Sequence, residues 1–228
     1  MKKIVVILTI VNSFFVPSLL KAQNPKSICI TCGSFDLAKI NFNEDLNELG
    51  AKTKILTKAS GQSYTDQTRT YETLFLFKDK QNSDVKIITY ENWFKFSNVN
   101  ILTNADKKII AYNAFNFYDG PLNKIDDFVF KLKRKFKTNT LITGKRIDGA
   151  VVYQWYVDDI IVQLDRDLKQ EKESSKIGNK WVEKKTCLVK LTIFNKALLD
   201  EKMKKALGRN ISFLFYQKEH FVKETKSN

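Results

Sequence analysis

The feature that most constrains the fold is a change in hydrophobic period along the chain. Between residues 54 and 118 apolar and aromatic residues recur with a period of two, as when Tyr71, Phe75 and Phe77 fall on one side of a strand. That period is typical of half-buried strands and predicts a β-meander. Further strands of this meander are predicted at residues 85–90, 93–102 and 108–118.

A helical period replaces the strand period after Asp119-Gly120-Pro121. Proline is favoured in the first turn of a helix, where no hydrogen bond from its nitrogen is needed. The apolar residues that then recur at helical spacing are Leu122, Ile125, Phe128, Val129, Leu132 and Phe136. This stripe predicts one long amphipathic helix that packs across a sheet.

Strand patterns return in the second half of the chain. A β-hairpin with its turn at Asp158-Asp159 is predicted, because apolar residues alternate on both sides of these acids. The alternating residues are Val151, Tyr153, Trp155 and Val157 before the turn and Ile160, Val162 and Leu164 after it. A later strand is predicted at residues 186–194, with Cys187, Val189, Leu191 and Ile193 on its apolar face.

Shorter helices are predicted near both ends. Ser34 is the candidate cap of the first, which would end at Gly50, and its apolar positions are Leu37, Ile40, Leu46 and Leu49. Asn195 is the candidate cap of the second, which would end at Gly208 and precede a strand at residues 211–216. Its inward positions are Leu199, Met203 and Ala206.

Helices therefore separate groups of strands without strict βαβ alternation. This order predicts an α+β fold of mostly antiparallel twisted sheets, with the long amphipathic helix packed across and shorter N- and C-terminal helices. Residues 23–228 have the size of a single α+β domain. Within it, residues 165–185 are rich in Asp, Glu, Lys and Ser, and predict an exposed charged loop.

The first 22 residues have the pattern of a secretory leader. Lys2 and Lys3 precede an apolar run over residues 4–20, and Ala22 offers a small residue at the cut before Gln23. An uncleaved anchor is the alternative, but Asn12 and Pro17 interrupt a run already shorter than the roughly 20 residues that span a bilayer. We therefore expect a cleaved signal peptide and an exported protein, periplasmic or secreted.

The net charge is strongly positive. It is +14 for the whole chain and +11 once Lys2, Lys3 and Lys21 leave with the leader. Such a charge attracts anionic lipids, polysaccharides or nucleic acids. Only five of the basic residues are Arg, the residue that phosphate recognition favours, so nucleic acid is not the predicted partner.

The densest basic run covers residues 131–137 at the end of the predicted long helix. Its candidate binding residues are Lys131, Lys133, Arg134 and Lys135. One interpretation is that cations here complement the negative end of the helix dipole. The other is a binding site for an anionic envelope polymer or lipid head groups.

The three cysteines leave several possibilities open. Cys29 and Cys32 form a Cys-x-x-Cys pair that, in an oxidising compartment, is more often a disulfide than a redox pair. Cys187 is predicted to stay buried on its strand face rather than to join either of them. A zinc site that also uses His220 has four ligands, but the sequence lacks the second close pair of ligands typical of such sites.

No motif with a known catalytic mechanism is present. His220 is the single histidine, and there is no Gly-x-Ser-x-Gly, no phosphate-binding glycine loop and no His-Glu-x-x-His. We therefore predict no catalytic residues, no cofactor and no metal. Carboxylates could still support acid/base hydrolysis, and the candidates are Asp126, Asp127, Asp158, Asp159, Asp165 and Asp167.

Together these features favour an exported, non-catalytic envelope protein that binds a partner or ligand. The candidate partners are an anionic envelope polymer, lipid head groups or another envelope protein. The alternative is a hydrolase of envelope material that uses carboxylate acid/base residues. Adjacent acids on a helix or strand point in different directions, so their proximity in sequence does not itself indicate a catalytic pair.

Overall fold

A computed structural model describes most of the chain between residues 34 and 217. The described residues are 34–45, 56–57, 64–66, 69–77, 87–104, 106–137, 141–146, 149–169, 174–177, 180–183, 186–208 and 213–217. The predicted signal peptide, Cys29, Cys32 and His220 lie outside them. Within the described ranges, no helix is both long enough and apolar enough to cross a membrane.

The fold is α+β, as the sequence predicts. The described strands are β1 (Ser34–Asp36), β2 (Leu56–Thr57), β3 (Tyr64–Asp66), β4 (Arg69–Phe77), β5 (Ile87–Tyr90), β6 (Phe94–Phe96), β7 (Asn98–Thr103), β8 (Ile109–Tyr118), β9 (Leu141–Lys145), β10 (Val151–Val157), β11 (Ile160–Lys169), β12 (Ser174–Ile177), β13 (Lys180–Glu183) and β14 (Thr186–Asn195). The α-helices are α1 (Asn123–Phe136) and α2 (Glu201–Leu207), and short 3-10 turns cover Leu37–Lys39 and Lys196–Leu198.

The main sheet is antiparallel throughout its described pairings. Its strand order is β2-β4-β7-β8-β14-β11-β10-β9, and β3 also pairs with β4. A second sheet has the order β1-β5-β6, in which β1 runs parallel to β5. β12 and β13 form a separate antiparallel pair. The last strand in sequence, β14, therefore lies between β8 and β11 in the middle of the main sheet.

One face of the main sheet is covered by α1 and the small sheet. The predicted apolar stripe of α1 is confirmed for five of its six residues, which are all buried, whereas Leu122 precedes the helix as its N-cap and is half-buried. The five buried residues are Ile125, Phe128, Val129, Leu132 and Phe136. Phe128 stacks on Phe94 of β6 with 5.0 Å between ring centroids, and Phe136 lies 5.8 Å from the ring of Trp155 on β10. Aromatic contacts therefore join the helix to both sheets.

The opposite face is covered by α2 and by residues 213–217. Phe194 of β14 contacts Phe215 edge to face, with 5.3 Å between the ring centroids. Met203 and Leu207 of α2 pack into the same apolar cluster. The hairpin of β10 and β11 and the strand β14 are confirmed, with Cys187 buried on the face that α1 covers.

A row of polar residues crosses this second face beside the apolar cluster. Its members lie directly opposite one another on five adjacent strands, and each is less than 5% exposed. In strand order they are Asn100, Asn113, Thr192, Gln163 and Gln154. We call them the polar row. Residues 214–216 lie over its Gln163 and Gln154 end, where the side chains supply the hydrogen bonds that this backbone needs.

The beginning of the predicted N-terminal helix differs from the structure. Ser34 does not cap a helix; it begins β1, because residues 34–36 pair with residues 87–89 of β5. Within residues 34–45 the helical part is the single 3-10 turn Leu37–Lys39, and the rest of the predicted helix, from Leu46 to Gly50, lies outside the described residues. Asp36 caps that turn, accepting hydrogen bonds from the backbone N–H groups of Ala38 and Glu91 at 3.1 and 2.9 Å.

The C-terminal helix is shorter than predicted. Asn195 caps the 3-10 turn, and α2 begins after Asp200, whose side chain accepts from Met203 N at 2.7 Å. Leu207 is buried where Ala206 was expected. Residues 213–217 are not a strand, because the side chain of Gln163 satisfies their backbone, donating to Leu214 O at 2.8 Å.

Two other segments are corrected. Residues 93–102 form β6 and β7 in different sheets, because Ser97 bends the chain between them and its N–H and hydroxyl both donate to Phe115 O. Residues 165–185, predicted as an exposed loop, contain the end of β11 and the pair β12 and β13. β14 extends β11 to Lys169 by pairing with it, and Asp165 is buried in contact with Gln163 and Tyr216.

Candidate functional site

The candidate site is the outward side of α1, where the predicted binding residues lie. The helix begins without a side-chain cap at Leu122 and ends at Lys137, whose φ of 63° departs from the helix. Lys133, Arg134 and Lys135 lie in its last turn, where cations are favoured by the helix dipole. The dipole interpretation therefore accounts for their position but not for what they contact.

Two of the four predicted residues have carboxylate partners. Lys131 Nζ lies 2.7 Å from Asp127 Oδ2, one turn earlier on the same helix. Lys135 forms an ion pair with Glu91 in the turn before β6, and its Nζ lies 4.9 Å from the ring centroid of Tyr90. Lys135 therefore joins α1 to the turn before β6, whereas the Lys131 pair lies within the helix, and both lysines contribute little unneutralised charge.

The ring beneath Lys135 stays uncharged. Burial raises the pKa of the Tyr90 hydroxyl well above its ordinary value, and the carboxylates of Glu91 and Asp36 raise it further. A neutral ring attracts an ammonium group to its face. Lys135 is thus fixed by both a carboxylate and an aromatic ring, which makes it a structural residue of this surface.

The other two predicted residues contact aromatic rings instead of acids. Lys133 Nζ lies 5.0 Å from the ring centroid of Tyr153 on β10, and Arg134 Cζ lies 5.7 Å from that of Phe130. Among the described residues neither has a carboxylate partner. Their charges are therefore available to an external anion.

Phe130 is the residue of this surface that the sequence analysis missed. Its ring is 56% exposed, the same fraction as Phe117 and the largest among the exposed hydrophobic residues described. At 100° per residue it lies roughly 140° from the centre of the buried stripe. A helical projection could have identified it as an aromatic residue on the charged side. We call Phe130, Lys133, Arg134 and Tyr153 the α1 surface.

The carboxylates considered for hydrolysis do not form an open pair in the described structure. Asp126 forms an ion pair with Arg166, and Asp127 with Lys131. Asp158 and Asp159 occupy the exposed turn between β10 and β11. Within the described residues, no three His, Cys, Asp or Glu side chains converge as metal ligands.

Asp165 belongs to a buried cluster that the sequence did not indicate. Its side chain accepts hydrogen bonds from Gln163 Nε2 and Tyr216 Oη, each at 3.2 Å. Burial raises the pKa of this carboxyl to about 6, while the charges of Lys190 and Arg146 oppose the rise. With 3% of its surface exposed, Asp165 is enclosed rather than accessible to a polymeric substrate.

Cys187 carries a free thiol and is fully buried, as predicted. Burial raises the pKa of the thiol, although Arg166 nearby lowers it. A buried thiol of raised pKa is a poor nucleophile and a poor metal ligand. Cys187 therefore serves as a core residue of β14.

Comparison of the chain with protein-family models, with curated proteins and with solved structures finds no match.

Proposed function

We propose that this chain is an exported, non-catalytic envelope protein that binds anionic lipid surfaces through the α1 surface. The observation that carries the proposal is the pairing of Phe130, 56% exposed, with the guanidinium of Arg134 at 5.7 Å. An aromatic ring among cations on the outer side of an amphipathic helix suits the interface of an anionic membrane. The ring enters the head-group region while the cations meet phosphates.

The shape of the site favours a membrane over a polymer chain. The α1 surface is the outer side of a helix, which is convex, whereas small ligands are bound mainly in concave sites. The leader predicted at residues 1–22 and the net charge of +11 after its removal agree with a role at an envelope surface. The hydrolase alternative has less support, because Asp126 and Asp127 are ion-paired and Asp165 is enclosed.

The test is vesicle binding by the protein purified after expression of its full coding sequence. Its intact mass shows whether the N-terminus is Gln23. We expect co-sedimentation with vesicles that contain phosphatidylglycerol and much weaker binding to phosphatidylcholine vesicles. Binding should weaken as salt rises, because screening shortens the range of the attraction.

Variants distinguish binding at the α1 surface from binding caused by the net positive charge of the whole protein. Lys133→Gln with Arg134→Gln should weaken binding roughly 10- to 30-fold, at about 1 kcal/mol per charge near an anionic surface. Phe130→Ala should weaken it without changing the charge. The matched control, Lys202→Gln with Lys205→Gln on exposed positions of α2, removes the same charge and should have a much smaller effect.

Three results would count against the proposal. Equal losses in the two double variants would attribute binding to net charge. Undiminished binding by Phe130→Ala would remove the role of the ring. Tighter retention on dextran sulfate than on anionic vesicles, abolished by the same variants, would assign the site to a polyanion instead.

A further inference from the structure

A cleft of about 410 Å³ lies away from the α1 surface, where three parts of the chain meet. Its walls come from residues 42–44 after the first 3-10 turn, from the turn between β7 and β8, and from the turn after β14. The residues that matter for its chemistry are Phe42, Glu44, Lys107, Lys108, Asn195 and Leu198. The volume is within the range of small-molecule sites, towards its lower end.

The acidic side of the cleft is held rigidly. Glu44 Oε1 accepts from the backbone N–H of Asn41 at 2.8 Å, and Oε2 accepts from the hydroxyl of Tyr112 at 3.0 Å. The ring of Phe42 packs on that of Tyr112, with 5.7 Å between the centroids. Glu44 is thus oriented by two hydrogen bonds, yet the described residues give it no cationic partner.

The basic side is formed by the turn between β7 and β8. Asn104 orders this turn, since its Oδ1 accepts from Lys108 N at 2.8 Å and its backbone N–H donates to Lys108 O at 3.0 Å. Lys107 and Lys108 are exposed, and neither ammonium group has a carboxylate partner in the part of the chain that is described. Both lysines line the same cleft as Glu44, and no ion pair joins either of them to it among the described residues.

The backbone is unusual at both walls. Phe42 has a φ of 65° and Lys107 a φ of 59°, a region that non-glycine residues rarely adopt. Apolar and amide groups complete the lining: Leu198 is half-buried, and the Oδ1 of Asn195 is occupied by the N–H of Ala197, which leaves the Nδ2 group to donate. The lining of the cleft therefore combines one carboxylate, two lysines and apolar residues.

We propose that this cleft binds a small zwitterion of di- or tripeptide size, with its ammonium group at Glu44 and its carboxylate at Lys107 and Lys108. A simple anion would be repelled by Glu44 and a simple cation by the two lysines, whereas a ligand with both charges satisfies both sides. The ring of Phe42 and the side chain of Leu198 contact its apolar part. This site is independent of the α1 surface and of lipid binding.

The test uses the full protein and the tripeptides Ala-Leu-Ala, Ala-Phe-Ala and Ala-Gly-Ala with free termini, measured by calorimetry and by saturation-transfer NMR. We expect at least one to bind, with the order of affinity following apolar content. Acetylation of its amino terminus and amidation of its carboxyl terminus should each weaken binding about tenfold or more. Amide shifts in the NMR spectrum should be concentrated at Phe42, Lys108 and Asn195.

Variants test which residues bind the carboxylate and which bind the ammonium group of the tripeptide. Lys107→Gln with Lys108→Gln should weaken binding of the free tripeptide about tenfold and leave affinity for its C-terminal amide unchanged. Glu44→Gln, which can still accept from Tyr112, should remove the preference for a free amine. Lys124→Gln with Lys145→Gln, two exposed lysines outside the cleft, is the matched control and should bind as the unsubstituted protein does.

The proposal is overturned if none of the three tripeptides binds at millimolar concentration. It is also overturned if the acetylated and amidated forms bind as well as the free peptide, or if the lysine variant loses no more affinity than its control. Loss of vesicle binding alone would concern the α1 surface and leave this assignment standing.

Discussion

The hydroxyl of Tyr216 donates a hydrogen bond to Asp165 Oδ2 across 3.2 Å and accepts one from Arg146 Nη1 across 2.8 Å. This relay links the segment over the polar row to β11 and to the residue after β9. The carboxyl of Asp165 is nearly unexposed, so its proton is held more tightly in the folded protein than in the unfolded chain.

We predict that Asp165 makes stability fall as pH rises. Its folded pKa, about 6, lies above the ordinary value of 3.8, so the stabilisation by its proton is complete below pH 3.8 and is lost by about pH 6. In Asp165→Asn, stability relative to the unsubstituted protein should therefore rise by roughly 3 kcal/mol across this window, at about 1.4 kcal/mol per unit of pKa. Urea unfolding at a series of pH values measures this difference.

The control for this prediction is Asp158→Asn in the exposed β10–β11 turn, a position whose φ of 43° asparagine tolerates. It removes a carboxyl of the same kind from an exposed position, and it should not reproduce the rise of roughly 3 kcal/mol expected for Asp165→Asn. A pH dependence of Asp165→Asn that parallels the unsubstituted protein would contradict the assignment.

Replacing two phenylalanines on α1 by alanine should change the stability of the protein by very different amounts. Phe128→Ala removes a fully buried ring that contacts Phe94, Phe96 and Tyr90, and should destabilise the protein by about 3–5 kcal/mol. Phe130→Ala, on the exposed side, should change the free energy of unfolding by less than about 0.5 kcal/mol. Chemical denaturation measures both changes. Similar losses of stability would contradict the assignment of Phe128 to the buried face of α1 and of Phe130 to the exposed face.

Gly149 should resist substitution although space surrounds it. A Cβ there would meet no atom within 4 Å, but the backbone has a φ of 90° in the turn where Gly149 N donates to Arg146 O. Gly149→Ala should therefore cost about 1–2 kcal/mol through backbone strain alone. A thermal melt in which Gly149→Ala unfolds at an unchanged or higher temperature would show that this turn relaxes.

The thiol of Cys187 should be protected in the native state. Because it is buried and its pKa is raised, modification by a disulfide reagent should be on the order of 100-fold slower than for a free thiol, and should require opening of the sheet. Peptide mapping after labelling distinguishes Cys187 from Cys29 and Cys32. Labelling in guanidinium chloride gives the full extent, and rapid native labelling would contradict the burial.

The polar row should show strong coupling between its members. Asn113 Nδ2 donates to Thr192 Oγ1 at 2.7 Å, so Thr192→Val alone leaves a buried donor unpaired and should cost about 1–3 kcal/mol. Replacing both, with Asn113→Leu added, should recover more than half of that loss. A double-mutant cycle by urea unfolding measures the coupling, and simple additivity of the two changes would argue against it.

The elements predicted best from sequence are those in which the spacing of apolar residues within one continuous segment indicates a helix or a strand. Each inward position of α1 from Ile125 to Phe136 is buried as its spacing requires. The strands β10, β11 and β14 lie where predicted, but residues on both of their faces are buried, as Val152 and Trp155 of β10 show. The periodicity of α1 arises from a single face packed against a large core, whereas the strand pattern identifies the strands although both of their faces are covered. A local pattern is therefore enough to identify them.

The segments that differed depend on partners distant in sequence. Residues 213–217 have a strand-like pattern, yet their backbone groups bond to Gln163 and Gln154, about 50 residues earlier. Ser34 lies in a strand because Ile87 pairs with it. Neither relationship can be predicted from neighbouring residues. The sequence does not show whether a polar side chain will hydrogen-bond to water or to a distant part of the backbone.

The candidate site was predicted in part for a similar reason. The basic run lies on the outward side of α1, and the Asp127 partner of Lys131 follows from helical spacing, whereas Glu91, the partner of Lys135, is identified only by the fold. The cleft between Glu44 and Lys108 joins segments more than 60 residues apart. When a site is formed by turns distant in sequence, its residues have no regular spacing from which it could be predicted.

The central position of β14 sets the order in which the sheet can be completed. During synthesis from the N-terminus, the groups β4-β7-β8 and β9-β10-β11 are complete before β14 exists. The edge strands β8 and β11 therefore stay unpaired until β14 is made. Open edges of that kind invite pairing with other chains, so nascent or truncated forms ending before Thr186 should aggregate.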